Sequence, residues 1–152
     1  MKKSAVNRKI RFIAMALAVM LVISPVASAA MVNPVEPRAS DYLDSYQTYI
    51  YPAGGGEIQV WFDVTADDYM DELGALCVYL YESTDGVNWS WVKTFSHEYY
   101  SNMLLEDDIF HMDHVTYQGV AGRYYKAYVG IWAGRNGAGD IRYLWTSAKR
   151  AT

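Results

Sequence analysis

"EIQVWFDV", from Glu57 to Val64, is the stretch whose reading decides the fold. Ile58, Val60, Phe62 and Val64 alternate with Glu57, Gln59, Trp61 and Asp63. A period of two is that of a strand with one face in a core and the other in water, whereas a helix repeats every three to four residues. The pattern continues on both sides. "SYQTYIY" (Ser45 to Tyr51) runs into Pro52 and three glycines, and "GALCVYLYE" (Gly74 to Glu82) offers Leu76, Val78 and Leu80 to one side. "WSWVKTF" (Trp89 to Phe95) and the weaker "FHMDHVTYQ" (Phe110 to Gln118) follow. "RYYKAYVGIW" (Arg123 to Trp132) and "DIRYLWTSA" (Asp140 to Ala148) flank "AGRNGAG", a glycine-rich reversal that suits a hairpin. About seven strands with short turns, and no amphipathic helix of useful length, predict an all-β, antiparallel sandwich over residues 44–150.

The N-terminus reads as an export signal. Lys2, Lys3, Arg8, Lys9 and Arg11 precede the apolar "FIAMALAVMLVI" (Phe12 to Ile23), then Pro25 and the small residues of "ASA" (Ala27 to Ala29). That order is a Sec signal peptide over 1–29, and its apolar run is too short to span a bilayer. Residues 30–43, with Pro34 and Pro37, form an extended lead-in. The expected location is therefore extracellular, without membrane insertion after cleavage. Cleavage also changes the electrostatics. Five of the 13 Lys and Arg residues lie in the signal and none of the 17 Asp and Glu do, which leaves eight bases and a net charge of −9. Nucleic acid is excluded as a partner, because binding it requires a basic footprint. Cys77 is the single cysteine, so no intramolecular disulfide staples the domain and its core must suffice.

"STDGVNW" (Ser83 to Trp89) approaches the S-x-D-x-G-x-T-W motif of sialidase-like proteins, but Asp85 and Gly86 are adjacent and Asn88 replaces the threonine. The physical reading is a reversal, with Asp85 accepting backbone hydrogen bonds and Gly86 supplying a positive φ. "VTYQGVAGRYYKAYV" (Val115 to Val129) resembles the E–F corner of immunoglobulin-like and fibronectin type III domains. The resemblance implies that Gly122 opens the corner, Tyr125 anchors it and Ala127 follows as the small inward residue, with Tyr124 competing for the anchor. The stretches "YPAGGGEIQVWFDV", "LYESTDG", "HVTYQG" and "YYKAYVGIWAG" also resemble small secreted proteins of Gram-positive bacteria, a family that brings no activity with it.

Three groups of residues could carry chemistry. His111 and His114 in "HMDH" have metal-pair spacing, but on a strand they point to opposite faces, which leaves His111 and Asp113 to meet by hydrogen bonding. Asp67, Asp68, Asp71, Asp107, Asp108 and Asp140 lie in or beside loops expected at one pole, and Ca²⁺ gathers its roughly six to eight oxygens from such loops. Solvated loops with ion pairs to Arg135 or Arg142 are the other reading. The third group is aromatic. All 14 Tyr and 5 Trp lie beyond the signal. Alternation turns Tyr79 and Tyr81 outward on one strand and Tyr124, Tyr128 and Trp132 outward on a neighbouring one. Such a stripe either binds a glycan or surface protein, or stabilises the sheet by cross-strand pairing.

The sequence thus leads to a secreted, non-catalytic sandwich that takes an extracellular glycan or surface protein on its aromatic face, needing no cofactor unless Ca²⁺ occupies the pole. A self-assembling extracellular subunit and a toxin-like factor are the alternatives. A hydrolase is disfavoured, because no Ser/His/Asp or Cys/His motif is present.

Overall fold

Seven strands of seven to fourteen residues carry the architecture: β1 (Leu43–Gly54), β2 (Glu57–Met70), β3 (Glu72–Ser83), β4 (Ser90–Ser96), β6 (Asp108–Gln118), β7 (Tyr124–Arg135) and β8 (Ala138–Trp145). Among the described residues, two short pieces, β5 (Leu104–Leu105) and β9 (Lys149–Arg150), and a 3₁₀ turn at Ser101–Met103 complete the elements. The computed structural model describes residues 40–152. The expected signal peptide (1–29) and most of the lead-in lie outside the described residues.

All pairings are antiparallel. One sheet has the order β1-β2-β6; the other has β4-β3-β7-β8, with β5 added to β3 and β9 to β7. Lettered A, B, C, C′, E, F and G, the long strands form the A-B-E and C′-C-F-G sheets of an immunoglobulin/fibronectin III-like sandwich. Hairpins close within a sheet and the chain changes sheets at Asp71, through residues 97–107, and at the corner after Gln118. The last hairpin turns on Asn136 and Gly137 alone. Both have positive φ (54° and 78°), the backbone of a two-residue type I′ turn, which is why Asn-Gly stands there.

The core lies between the sheets. Ile58, Val60, Phe62 and Val64 of β2 are completely buried, facing Val78 and Leu80 of β3 and Tyr125, Ala127, Val129 and Ile131 of β7. Leu76, expected with Val78 and Leu80, does not join them. The β3–β7 register slips between Ala75 and Cys77, so Leu76 occupies a β-bulge and is only half-buried. The extra residue resets the alternation, and Leu73 and Ala75 are buried in its place.

The E–F corner uses Tyr125. Its ring is fully buried; its hydroxyl accepts the Val120 N–H at 2.9 Å and donates to Glu82 Oε2 at 3.2 Å. Arg123 closes the cluster by an ion pair with the other oxygen of Glu82. Tyr124 faces outward beneath the Arg150 guanidinium, 5.8 Å from its ring centre. The chain end is tied into the corner as well: Ala151 N–H bonds Arg123 C=O at 2.8 Å.

Candidate aromatic binding face

The outer face of the β4-β3-β7-β8 sheet is built by cross-strand register. Tyr81 stands opposite Trp91, Tyr79 opposite Tyr128, and Tyr128 opposite Trp145. The rings interlock. Tyr128 stacks on Tyr143 with centroids 5.1 Å apart and meets Trp145 at 4.8 Å, while Tyr81 reaches Trp145 at 5.4 Å. Contact does not hide them: Trp91 is 60% exposed, Trp145 52% and Tyr143 47%. A row of half-bare rings therefore crosses all four strands.

Gly130 makes room in the middle of this row. A side chain there would place Cβ 2.8 Å from the Tyr143 ring and 3.0 Å from the Cys77 sulfur, so both lie directly over the glycine backbone. A mid-strand glycine exposes its peptide and weakens the sheet; a cross-strand aromatic covers it. The Tyr79 hydroxyl is pushed above the usual phenol range, first by its hydrogen bond with Cys77. Burial, followed by the same thiol, raises Tyr143. At neutral pH both phenols remain protonated hydrogen-bond donors.

Of the five rings expected to form the stripe, Tyr79, Tyr81 and Tyr128 belong to this cluster and two do not. Tyr124 is at the corner end under Arg150. Trp132 is at the other end, lying on Gly134 and Gly139 with its indole N–H donated to Glu72 at 3.1 Å. Sequence reasoning missed Trp91, Tyr143 and Trp145. Alternation in "IRYLW" would have found two of them, because Ile141, Tyr143 and Trp145 pair with outward Trp132, Gly130 and Tyr128.

The acidic residues do not converge. Asp68 is bonded to Arg135 at 2.5 Å and Asp71 accepts the Asn136 N–H at 2.6 Å. Asp140 turns instead to Ser40 and the Asp41 N–H, at 2.7 and 2.9 Å, and Asp108 accepts the amides of Ile109 and Phe110. Asp67 and Asp107 are exposed. The carboxyl of Asp68 is held below the usual range, first by the Tyr69 N–H and then by Arg135; that of Asp140 is lowered first by the Ser40 hydroxyl. Among the described residues no group of three or more His, Cys, Asp or Glu is arranged to hold a metal ion. An open groove of about 500 Å³ runs past Asp71, Glu72, Glu106, Trp132 and Arg135 at this pole.

The histidines separate as strand geometry requires. His111 is buried against Phe62 with Nε2 2.9 Å from Asn102 C=O. His114 stacks on Trp61 on the opposite side, with centroids 4.3 Å apart, and Tyr49 continues the row parallel to Trp61 at 6.1 Å. Asp113 accepts the His114 N–H at 2.6 Å, so its bonded partner is His114 rather than the expected His111. In "STDGVNW", Asp85 Oδ1 accepts the amides of Val87 and Asn88, both at 2.8 Å, and Ser83 Oγ accepts that of Gly86 at 2.9 Å. These bonds drive the Asp85 carboxyl far below its ordinary range. The stretch is a self-bonded turn.

No family model matches this chain, and neither a curated protein nor a solved structure matches it significantly. No helix among the described residues is long and apolar enough to cross a membrane.

Proposed function

We propose that this is a secreted, non-catalytic β-sandwich that binds an extracellular glycan on the outer face of the β4-β3-β7-β8 sheet. One observation carries the reading: Trp91, Tyr143 and Trp145 keep about half their surface exposed after cross-strand pairing. Pairing alone is satisfied by rings packed on one another. Aromatic surface left open to solvent, beside the Tyr79 and Tyr143 hydroxyls, suits packing against the C–H faces of sugars with hydrogen bonds at the edges. The basic–apolar–small order of residues 1–29 supports export, and the resemblance to small Gram-positive secreted proteins agrees with it.

A glycan array tests the reading. The wild type should bind one glycan class, and Trp145→Ala and Tyr143→Ala should each lose most of that signal while staying folded, with Tm lowered by no more than about 4 °C. Equal array signals for wild type and both variants would refute it. Self-association is the second reading, favoured by exposed Tyr51, Phe110 and Met112 on the other sheet. Light scattering over a concentration series separates the two.

A further inference from the structure

Charge is divided between the two sheets. Strands β1, β2 and β6 hold Asp44, Glu57, Asp63, Asp67, Asp68, Asp108 and Asp113, and neither a Lys nor an Arg. The opposite sheet holds Lys93, Lys126, Arg135, Arg142, Lys149 and Arg150 against Glu72, Glu82 and Asp140. Those three acids sit away from the aromatic cluster: Glu72 bonds Trp132, Glu82 pairs with Arg123, and Asp140 bonds Ser40. A chain of high net acidity thus presents an aromatic face whose centre carries no carboxylate.

Lys126 stands on that face, beside the row of rings. It pairs across the strands with Tyr81, and its Nζ lies 4.5 Å from the Trp89 ring centre and 4.6 Å from that of Trp145. Among the described residues its ammonium meets no carboxylate within salt-bridge distance. Two indole faces hold a long, flexible side chain in place and remove part of its water. The rings attract the cation without neutralising it, so the ammonium N–H groups remain available to an incoming anion.

We infer that the face is selective for carboxylated sugars, with the Lys126 ammonium binding the uronate carboxylate while Trp145, Tyr143 and their neighbours stack on the sugar rings. The inference rests on the glycan reading above and adds the ligand's charge. A charge-assisted hydrogen bond to a fixed, partly desolvated ammonium is stronger than its neutral counterpart. The acids of the far sheet would repel a polyuronate approaching from that side, so the charge division also orients the encounter.

Calorimetry with a galacturonate hexasaccharide and a hyaluronan hexasaccharide, each as free acid and as methyl ester, tests this. The ester keeps the rings and removes the charge. The wild type should bind at least one acid about tenfold more tightly than its ester, with affinity falling as salt rises. Lys126→Met should abolish that preference and leave ester binding within about twofold; Lys126→Arg should restore it. The acid-to-ester ratio and the salt slope are read on the wild type, so the test survives a variant that folds poorly. Acid and ester binding alike, both weakened by Trp145→Ala and untouched by Lys126→Met, would overturn the charge inference while leaving a glycan face. If neither acid nor ester binds, the inference falls; if the array is also blank for the wild type, the glycan reading falls with it.

Discussion

Replacing Tyr125 by phenylalanine isolates one hydroxyl in the fold. The ring is completely buried, so its aromatic packing would be nearly unchanged by the substitution. What disappears is an acceptor for the Val120 N–H at 2.9 Å and a donor to Glu82 at 3.2 Å. Glu82 keeps its ion pair with Arg123, so the larger loss falls on Val120, whose amide no longer has the hydroxyl as its acceptor. Val120 is itself exposed, so water can take the place of the hydroxyl and the loss is that of one net hydrogen bond, about 0.5–1.5 kcal/mol. For a domain of this size, with roughly 2 cal/mol/K of unfolding entropy per residue, each kcal/mol lowers Tm by about 4 °C. Tyr125→Phe should therefore melt about 2–6 °C below the wild type by circular dichroism. Tyr124→Phe, at the half-exposed neighbour under Arg150, should shift Tm by only about 2 °C. The pH dependence has a definite sign. Burial, ahead of the neighbouring Glu82, raises the folded-state pKa of Tyr125 above its unfolded value near 10. Its contribution is complete below that value and is lost as pH rises through the folded pKa. Removing the phenol should leave stability less sensitive to alkali than in the wild type. A Tyr124→Phe loss equal to that of Tyr125→Phe would refute the assignment of the corner.

Other substitutions probe the remaining parts of the same geometry. Trp145→Ala should cost about 1 kcal/mol or less, because the ring is half exposed, whereas Phe62→Ala in the fully buried core should cost about 3–5 kcal/mol in urea melts. Gly130→Ala should push the Tyr143 ring off the sheet and lower stability by about 1–2 kcal/mol, with the Tyr143 ring resonances shifting in an NMR spectrum. Asp85→Ala should speed hydrogen exchange at Val87 and Asn88. In the wild type these amides should lose protection only in strong acid, since a depressed carboxylate pKa contributes stability above its unfolded value near 4 and loses it as pH falls through the folded one. Excess chelator should leave Tm unchanged, because the acids at the pole are bonded to Arg135 and Asn136; a drop of many degrees would reveal a structural cation.

Period-two patterning in β2 and β7 was enough to determine the class of fold, since only a half-buried strand places Val60, Phe62, Ala127 and Val129 on one side. The local turns were legible for a similar reason: Asp85, Asn136 and Gly137 act on their own backbone within a few residues. Outward direction was legible for Tyr79, Tyr81 and Tyr128, because alternation is a local property of each strand. Four matters were decided only in three dimensions. The bulge at Leu76 depends on how β3 registers against β7, and it reversed the inward set at that end of the strand. The membership of the aromatic face depends on β8 lying beside β7, which brings in Tyr143 and Trp145 and leaves Trp132 at the pole with Glu72. The setting of Lys126 between Trp89 and Trp145 joins residues from a loop and two strands, and the division of charge joins strands far apart in the chain. Local patterns determine which way a side chain points; strand pairing determines what it meets.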